Sequence, residues 1–233
     1  MALLHNAERP LIIGGHGVWW SGAEKALETA GKNLRLPIFN VPYHQKLLGE
    51  ECEAYMGLAD IHQYHPSADA FRDADLVLMV GGRLDNQMNF GNPPLFPSNA
   101  ELVCVNGSHE EIEFNRAADF ALLCDPAAFL ETLVVHRENP DFRLPRDWYD
   151  LNRQWRAAWV DKMLADLDHE TARPAFEGRV HPLQLALDVQ GAMGDGDWLV
   201  IDGGNTHFWS EIAVNIAGFQ GKKLGGILHP GTF

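Results

Sequence analysis

Short apolar runs rich in β-branched residues alternate along the chain with longer amphipathic segments, the pattern left by a parallel sheet covered by helices on both faces. The strands this predicts lie at residues 11–14, 37–41, 76–80, 102–105 and 120–123, each bounded by Gly, Pro, Asn or Asp. Helices fit between them. Ser21 and Glu24 have the S-x-x-E spacing of a capping box, which starts a helix running to Leu34, and Ser108 with Glu111 repeats the pattern. Asp125 and Pro126 read as the cap and first residue of a helix ending at Val135.

The pattern stops over residues 136–145, where charged residues and two prolines predict a linker. Beyond it Trp148, Leu151, Trp155, Trp159 and Met163 recur every three or four residues and define one stripe of a helix. Such a stripe is a packing face. A second α/β unit then opens, with a helix over 182–190, a strand over 198–202 and a closing segment at 225–233. The sheet it begins lacks most of its strands. The expected organisation is therefore a central unit over 1–135, a linker with an amphipathic helix over 136–180, and an incomplete second α/β unit over 181–233.

Composition narrows the partners. The 233 residues are 46% hydrophobic, enough for a substantial core, and carry a formal net charge of -14. That charge repels the phosphates of nucleic acids and anionic membrane surfaces, so neither is expected as a partner. It does not exclude a small phosphorylated ligand, because backbone N–H groups and helix N-termini bind anions locally. The three cysteines, Cys52, Cys104 and Cys124, show no CxxC spacing, which fits a reducing compartment. With no membrane-length apolar run and no signal-peptide pattern at the start, a soluble cytoplasmic protein is expected.

Two glycine-rich strand ends are the candidate chemistry. Gly14-Gly-His-Gly17 follows the first strand, and absent side chains there let backbone donors approach an anion, although a tight strand-to-helix turn needs glycine whatever it binds. Gly81-Gly-Arg83 ends the strand at 76–80, and Arg83 is placed either to hold a phosphate or to pair with Asp85. Asn106 and Asp125 end two further strands with polar groups suited to a ribose or base, or simply to turns. His62 and His65 have the i, i+3 spacing of one helical face, but without further ligands they read as surface or packing residues. Gly194-Asp-Gly196 reads as a turn. No G-x-S-x-G elbow or cysteine nucleophile setting is present.

The runs Arg9-Pro-Leu-Ile-Ile-Gly-Gly-His-Gly17 and Ala74-Asp-Leu-Val-Leu-Met-Val-Gly-Gly-Arg83 resemble the Rossmann-like central domain of thiamine diphosphate-dependent enzymes such as acetolactate synthase. Gly81-Gly-Arg-Leu84 with Phe90-Gly-Asn-Pro-Pro94 is most similar to the oxalyl-CoA decarboxylase and 2-hydroxyacyl-CoA lyase branch. Trp198-Leu-Val-Ile-Asp-Gly-Gly-Asn-Thr206 resembles the opening of the cofactor-binding domain, and His229-Pro-Gly-Thr-Phe233 the segment before the loop that supports the thiamine pyrimidine. The resemblance implies that Gly204, Asn205 and Thr206 meet the diphosphate of thiamine diphosphate. It implies that Gly15, Gly17, Arg83, Asn106 and Asp125 line a seat for ADP or FAD, with Asn106 standing where the family often has Asp. Mg2+ is the implied metal of the complete enzyme, but its motif and the activating carboxylate lie outside this stretch, so no catalytic or metal-binding residue is assigned here. The expectation is a fragment of a lyase, decarboxylase or carboligase for small 2-oxo or 2-hydroxyacyl substrates, homo-oligomeric when complete and inactive as this chain alone. Two alternatives stand beside it: a noncatalytic module binding ADP, CoA or FAD, and an NAD-dependent dehydrogenase, for which G-x-G-x-x-G is missing.

Overall fold

Residues 10–14 form the innermost strand because every side chain in Pro-Leu-Ile-Ile-Gly is apolar or absent and both faces of the strand are covered. The computed structural model describes residues 2–42, 47–49, 51–112, 114–135, 146–194, 197–201, 204–218 and 223–226. A short helix α1 (Ala2–Asn6) precedes this strand, β1 (Pro10–Gly14), and a five-residue helix α2 (His16–Trp20) follows it. Then come α3 (Glu24–Leu34), β2 (Ile38–Asn40), β3 (Tyr55–Leu58), α4 (His65–Asp73), β4 (Leu76–Val80), β5 (Glu101–Asn106), β6 (Phe120–Leu123) and α5 (Pro126–Val135). The six strands are parallel, in the order β3-β2-β1-β4-β5-β6.

The helices follow from spacing. In α3 the buried residues Leu27, Ala30, Gly31 and Leu34 are spaced as one apolar stripe, and burying each leucine contributes roughly 1.5–3 kcal/mol. The helix ends where Arg35 turns left-handed, its N–H donating to the Gly31 carbonyl. Helix α3 packs against α5. In a second contact, α4 packs on α6 (Arg146–Thr171), the long helix that follows the central unit. Phe71 of α4 sits edge-on to Phe39 of β2 and stacks on Phe96, while Tyr64 meets Trp159 of α6. The Trp148 indole donates to the Pro10 carbonyl at 2.9 Å and so ties α6 to the start of β1. The predicted stripe on α6 buries Trp148 and Trp159 and half-buries Trp155 and Met163, but Leu151 faces outward and Tyr149 and Leu167 replace it in the core.

After α6 the chain forms α7 (Pro182–Ala192), β7 (Trp198–Ile201), α8 (Asn205–Ala217) and β8 (Lys223–Gly226), with β7 and β8 parallel. Among the described residues no helix is long and apolar enough to cross a membrane.

Several expectations need correction. Neither capping box forms. The Ser21 hydroxyl donates backwards to the Gly17 and Val18 carbonyls and closes α2, while α3 starts two residues later than expected, after Ala23, without a side-chain cap. Ser108 opens a hydrogen-bonded turn and no helix, and the Glu111 side chain is taken by Arg83. Strand β3 was not predicted, because its central Gly57 breaks the apolar run; that residue has φ +111° and admits no side chain. His62 lies in the turn before α4, so it does not share a helical face with His65. Asp125 does cap α5, accepting from Ala127 and Ala128 at 2.8 and 3.3 Å. Gly194 closes a turn by accepting from Asp197 at 3.0 Å. The predicted linker at 136–145, residues 195–196 and 202–203, and the final segment from 227 fall outside the described residues.

Candidate functional site

The strand order reverses direction between β1 and β4, which are neighbours although far apart in sequence, and in open parallel sheets ligands bind beyond the carboxyl ends of strands at such a point. Gly15 to Gly17 leave β1 there and Gly81 to Arg83 leave β4. These loops touch. A Cβ on Gly15 would lie 2.5 Å from the Gly82 Cα, and one on Gly17 would lie 2.7 Å from the Gly81 Cα. Gly81 itself has φ +68°, a left-handed conformation. The contact is closed by hydrogen bonds from Gly15 N–H to Val80 O at 2.8 Å and from Gly17 N–H to Gly81 O at 2.7 Å. Both N–H groups expected to face an anion are thus spent between the two loops, and these glycines provide close approach of backbones instead.

Arg83 pairs with Glu111 at 2.7 Å and lies over the Phe114 ring, 4.6 Å from its centroid. Its anticipated partner Asp85 is engaged locally, accepting from the Gln87 N–H at 3.1 Å. Burial, reinforced by the Arg83 charge, lowers the pKa of His16 from 6.5 to about 4, so this ring is neutral beside the guanidinium at neutral pH. Asn106 accepts from Ser108 N–H at 3.0 Å and reaches the Gly82 carbonyl at 3.4 Å. Cys124 N–H bonds to Asn106 O, which brings the Asp125 turn to the same edge. The five residues Gly15, Gly17, Arg83, Asn106 and Asp125 therefore collect along one rim of the sheet.

The second candidate stands at the end of β7. Gly204, with φ +74°, is the N-cap of α8, and Asn205 and Thr206 form its exposed first turn. The leading N–H groups of a helix have no acceptor within it and carry partial positive charge. A cavity of about 590 Å³ between α7, β7 and α8 is lined by Asn205, Thr206, Ser210, Trp209, Leu199 and Gln190, among others. The Gln190 side chain is buried there, and among the described residues neither its oxygen nor its nitrogen has a hydrogen-bond partner. Short hydroxyl and amide groups, a helix N-terminus and an orphaned carboxamide fit a diphosphate ester with an apolar body.

The opposite face of α8 carries residues that spacing alone did not single out. His207, Glu211 and Asn215 follow one another at four-residue intervals and are all buried. Asn215 accepts from the Leu58 N–H of β3 at 2.8 Å, capping a donor on the edge of the central sheet. The signal was present as a polar stripe running through Ile212, Ala213, Val214 and Ile216. Among the described residues no group of three or more His, Cys, Asp or Glu side chains is arranged to hold a metal ion.

Comparison with known proteins gives these sites a lineage. The chain is 31% identical over 222 residues to 2-hydroxyacyl-CoA lyase 1 of Dictyostelium discoideum, a match taking in 88% of the chain and 37% of the relative. To the acetolactate synthase large subunit of Parasynechococcus marenigrum it is 25% identical over 209 residues, 89% of the chain and 32% of the relative. To the oxalyl-CoA decarboxylase of Escherichia coli it is 24% identical over 174 residues, 73% of the chain and 29% of the relative. The chain thus spans about a third of the length of these relatives. The sequence profile described as thiamine pyrophosphate enzyme, central domain, matches residues 1–133, the stretch that holds the whole six-stranded sheet. By that match the chain belongs to the thiamine pyrophosphate enzyme family.

Proposed function

We propose that this chain supplies the central unit and one wall of the cofactor pocket of an enzyme that forms or cleaves a C–C bond beside a carbonyl, acting on 2-oxo or 2-hydroxyacyl substrates, CoA-linked ones included. One observation carries the proposal. The match to the Dictyostelium lyase covers so much of the chain that it must include β7 as well as most of the central sheet, and β7 leads to the helix N-terminus and cavity described above. When bound, thiamine diphosphate supplies the electron sink for the bond being made or broken. The protein's part is orientation: Asn205 and Thr206 hold the diphosphate by side chain and N–H, Gly204 lets the backbone turn beneath it, and the walls of Leu199 and Trp209 exclude water from the apolar part. Among the described residues that line the cavity none is charged, so Mg2+ would neutralise the diphosphate through ligands other than these.

At the rim of the central sheet the same reading places an adenine nucleotide, ADP or FAD. The Arg83–Glu111 pair is partly exposed, and such pairs contribute at most about 1 kcal/mol, so a phosphate can displace Glu111. The net charge of -14 supports small molecules, and not nucleic acid or membrane, as partners of a cytoplasmic protein that is a homo-oligomer when complete. Trp209, in the cavity wall, reports on occupancy. Titrating the chain with thiamine diphosphate and Mg2+ should change its fluorescence saturably, whereas thiamine lacking the diphosphate should not. Equal responses to the two, or none to either, would refute the assignment of Asn205 and Thr206 to the diphosphate.

A further inference from the structure

The two edges of the central sheet are finished differently. At β3, where α8 lies along a seam, all four residues are buried and Asn215 accepts from the Leu58 N–H at 2.8 Å. At the far edge stands β6, last in the sheet order, with every residue of Phe120-Ala-Leu-Leu123 exposed: Phe120 by 45%, Leu122 by 40% and Leu123 by 57%. Strands of a parallel sheet are ordinarily covered on both faces. Here the connection from β5 to β6, residues 107–119, contains no helix among the described residues, so it lays none over the face that carries Leu123. On the opposite face Phe120 and Leu122 border a groove of about 140 Å³ between α1 and α5, floored by Leu78 and Val103 and walled by Leu4 and Leu133. Every lining side chain is apolar, and the space admits a group the size of one apolar side chain. Proteins usually blunt such an edge with a lysine, a proline or a bulge, and β6 has none of them.

The charges around this edge have one sign. Helices α1 and α5 and strands β5 and β6 contain Glu101 and Glu131 but no lysine or arginine, and Asp119 and Asp125, both exposed, bracket β6 in sequence. The arginine nearest to the strand in sequence, Arg116, is held by the carbonyls of Gly91 and Ala100 at 2.9 and 3.1 Å. A second copy pairing β6 with β6 about a two-fold axis would set the aspartates of one chain beside those of the other, between molecules that each carry a net charge of -14. The border instead complements lysine and arginine. We propose that β6 and its groove are a docking edge for a partner polypeptide that adds as a seventh strand, through a short apolar run with basic residues at its ends. Its backbone pairs with the free side of β6, and alternate side chains enter the groove or lie against Leu123. Its basic ends meet Asp119 and Asp125.

This inference needs no cofactor and stands apart from the proposed function. The test is fluorescence anisotropy of the full chain with a labelled synthetic peptide, a run of valine and isoleucine between paired lysines. Binding should saturate. Exchanging the lysines for glutamates should weaken it by roughly tenfold or more, and so should methylating alternate peptide nitrogens, which removes the donors a strand needs. Asp119→Asn with Asp125→Asn keeps the acceptors for the Leu102 N–H and for the first turn of α5, so the fold should persist. The loss of two exposed ion pairs should then weaken binding roughly three- to tenfold. Leu122→Lys places a charge at the mouth of the groove and should abolish binding, and Leu123→Lys repeats the test from the other face should the first variant fail to fold. Absence of binding, equal binding of the lysine and glutamate peptides, or indifference to nitrogen methylation would overturn the proposal. So would a dimer of the chain alone, seen by sedimentation, that Leu122→Lys dissociates, since the edge would then belong to a second copy.

Discussion

Replacing Gly15 with alanine tests whether the two glycine loops are packed together or stand apart as an open anion cradle. The added methyl carbon would lie 2.5 Å from the Gly82 Cα and 2.6 Å from the Gly81 carbonyl oxygen, both backbone atoms that no rotamer change can move aside. Carbon atoms rest at roughly 3.5–4.0 Å, so the loops must part by about 1 Å. Overpacking of that kind costs about 1–3 kcal/mol. The parting also weakens the bonds from Gly15 N–H to Val80 O and from Gly17 N–H to Gly81 O, each contributing about 0.5–1.5 kcal/mol. The sum is a destabilisation of about 2–6 kcal/mol. Urea unfolding with an m-value of about 2 kcal/mol/M should show a midpoint lower by roughly 1–3 M and an unchanged slope. Gly191→Ala is the control: it lies within α7 with nothing inside 4 Å of its added Cβ, and it should stabilise by about 0.5–1 kcal/mol. A Gly15→Ala protein within about 0.5 kcal/mol of wild type would show that the loops do not touch, and the open-cradle reading would return.

Three further outcomes follow from single contacts. Asn215→Leu leaves the Leu58 N–H buried without an acceptor, and thermal melts should show a loss of about 1–3 kcal/mol. Asp125→Ala removes the cap of α5 and should cost about 1 kcal/mol by urea unfolding, with Asp125→Asn close to wild type. His16, lowered to about 4 from 6.5, binds fewer protons in the folded chain than in the unfolded one, so its contribution to stability grows as pH rises from about 4 to 6.5. His16→Asn should therefore remove an upward slope from the stability-versus-pH curve over that window. An unchanged slope in the His16 variant would contradict its burial as a neutral ring.

The strands of the central sheet were legible because the apolar runs of β1, β4, β5 and β6 are short and bounded by turn residues, with Val or Ile in the first three. Strand β3 was not, since what makes Tyr55-Met-Gly-Leu a strand is tertiary. A Cβ on Gly57 would meet the Tyr64 ring at 2.6 Å and Asn215 Oδ1 at 2.7 Å, and neither neighbour is near in the local sequence pattern. The capping boxes failed for a related reason. Ser21 has carbonyl acceptors behind it and N–H donors ahead, and with Gly22 at φ +64° the chain turns before α3 begins, so its hydroxyl serves the helix behind it. Arg83 chose Glu111, 28 residues away, over the nearby Asp85 because the strand ends of β4 and β5 sit side by side at the rim. The glycine loops were located correctly along the chain, yet whether a given N–H is free depends on what the facing loop offers, and sequence spacing does not encode that.

The same limit explains why the polar stripe of α8 escaped notice, and it bears on how the two units work together. Helix α8 has two polar faces. Asn205, Thr206 and Ser210 line the cavity, while His207, Glu211 and Asn215 face the central sheet. Thr206 and Glu211 are about 7.5 Å apart along the axis at 1.5 Å per residue, less than two turns of an unbroken helix. A helix that short moves as one body, so a shift at the seam is passed on almost undiminished to the turn at Gly204. The Asn215 to Leu58 bond joins this helix to the edge of the central sheet. On this argument the central unit bears on the proposed cofactor site through the seat it gives to α8, which the Asn215 to Leu58 bond helps to set, rather than through the glycine rim.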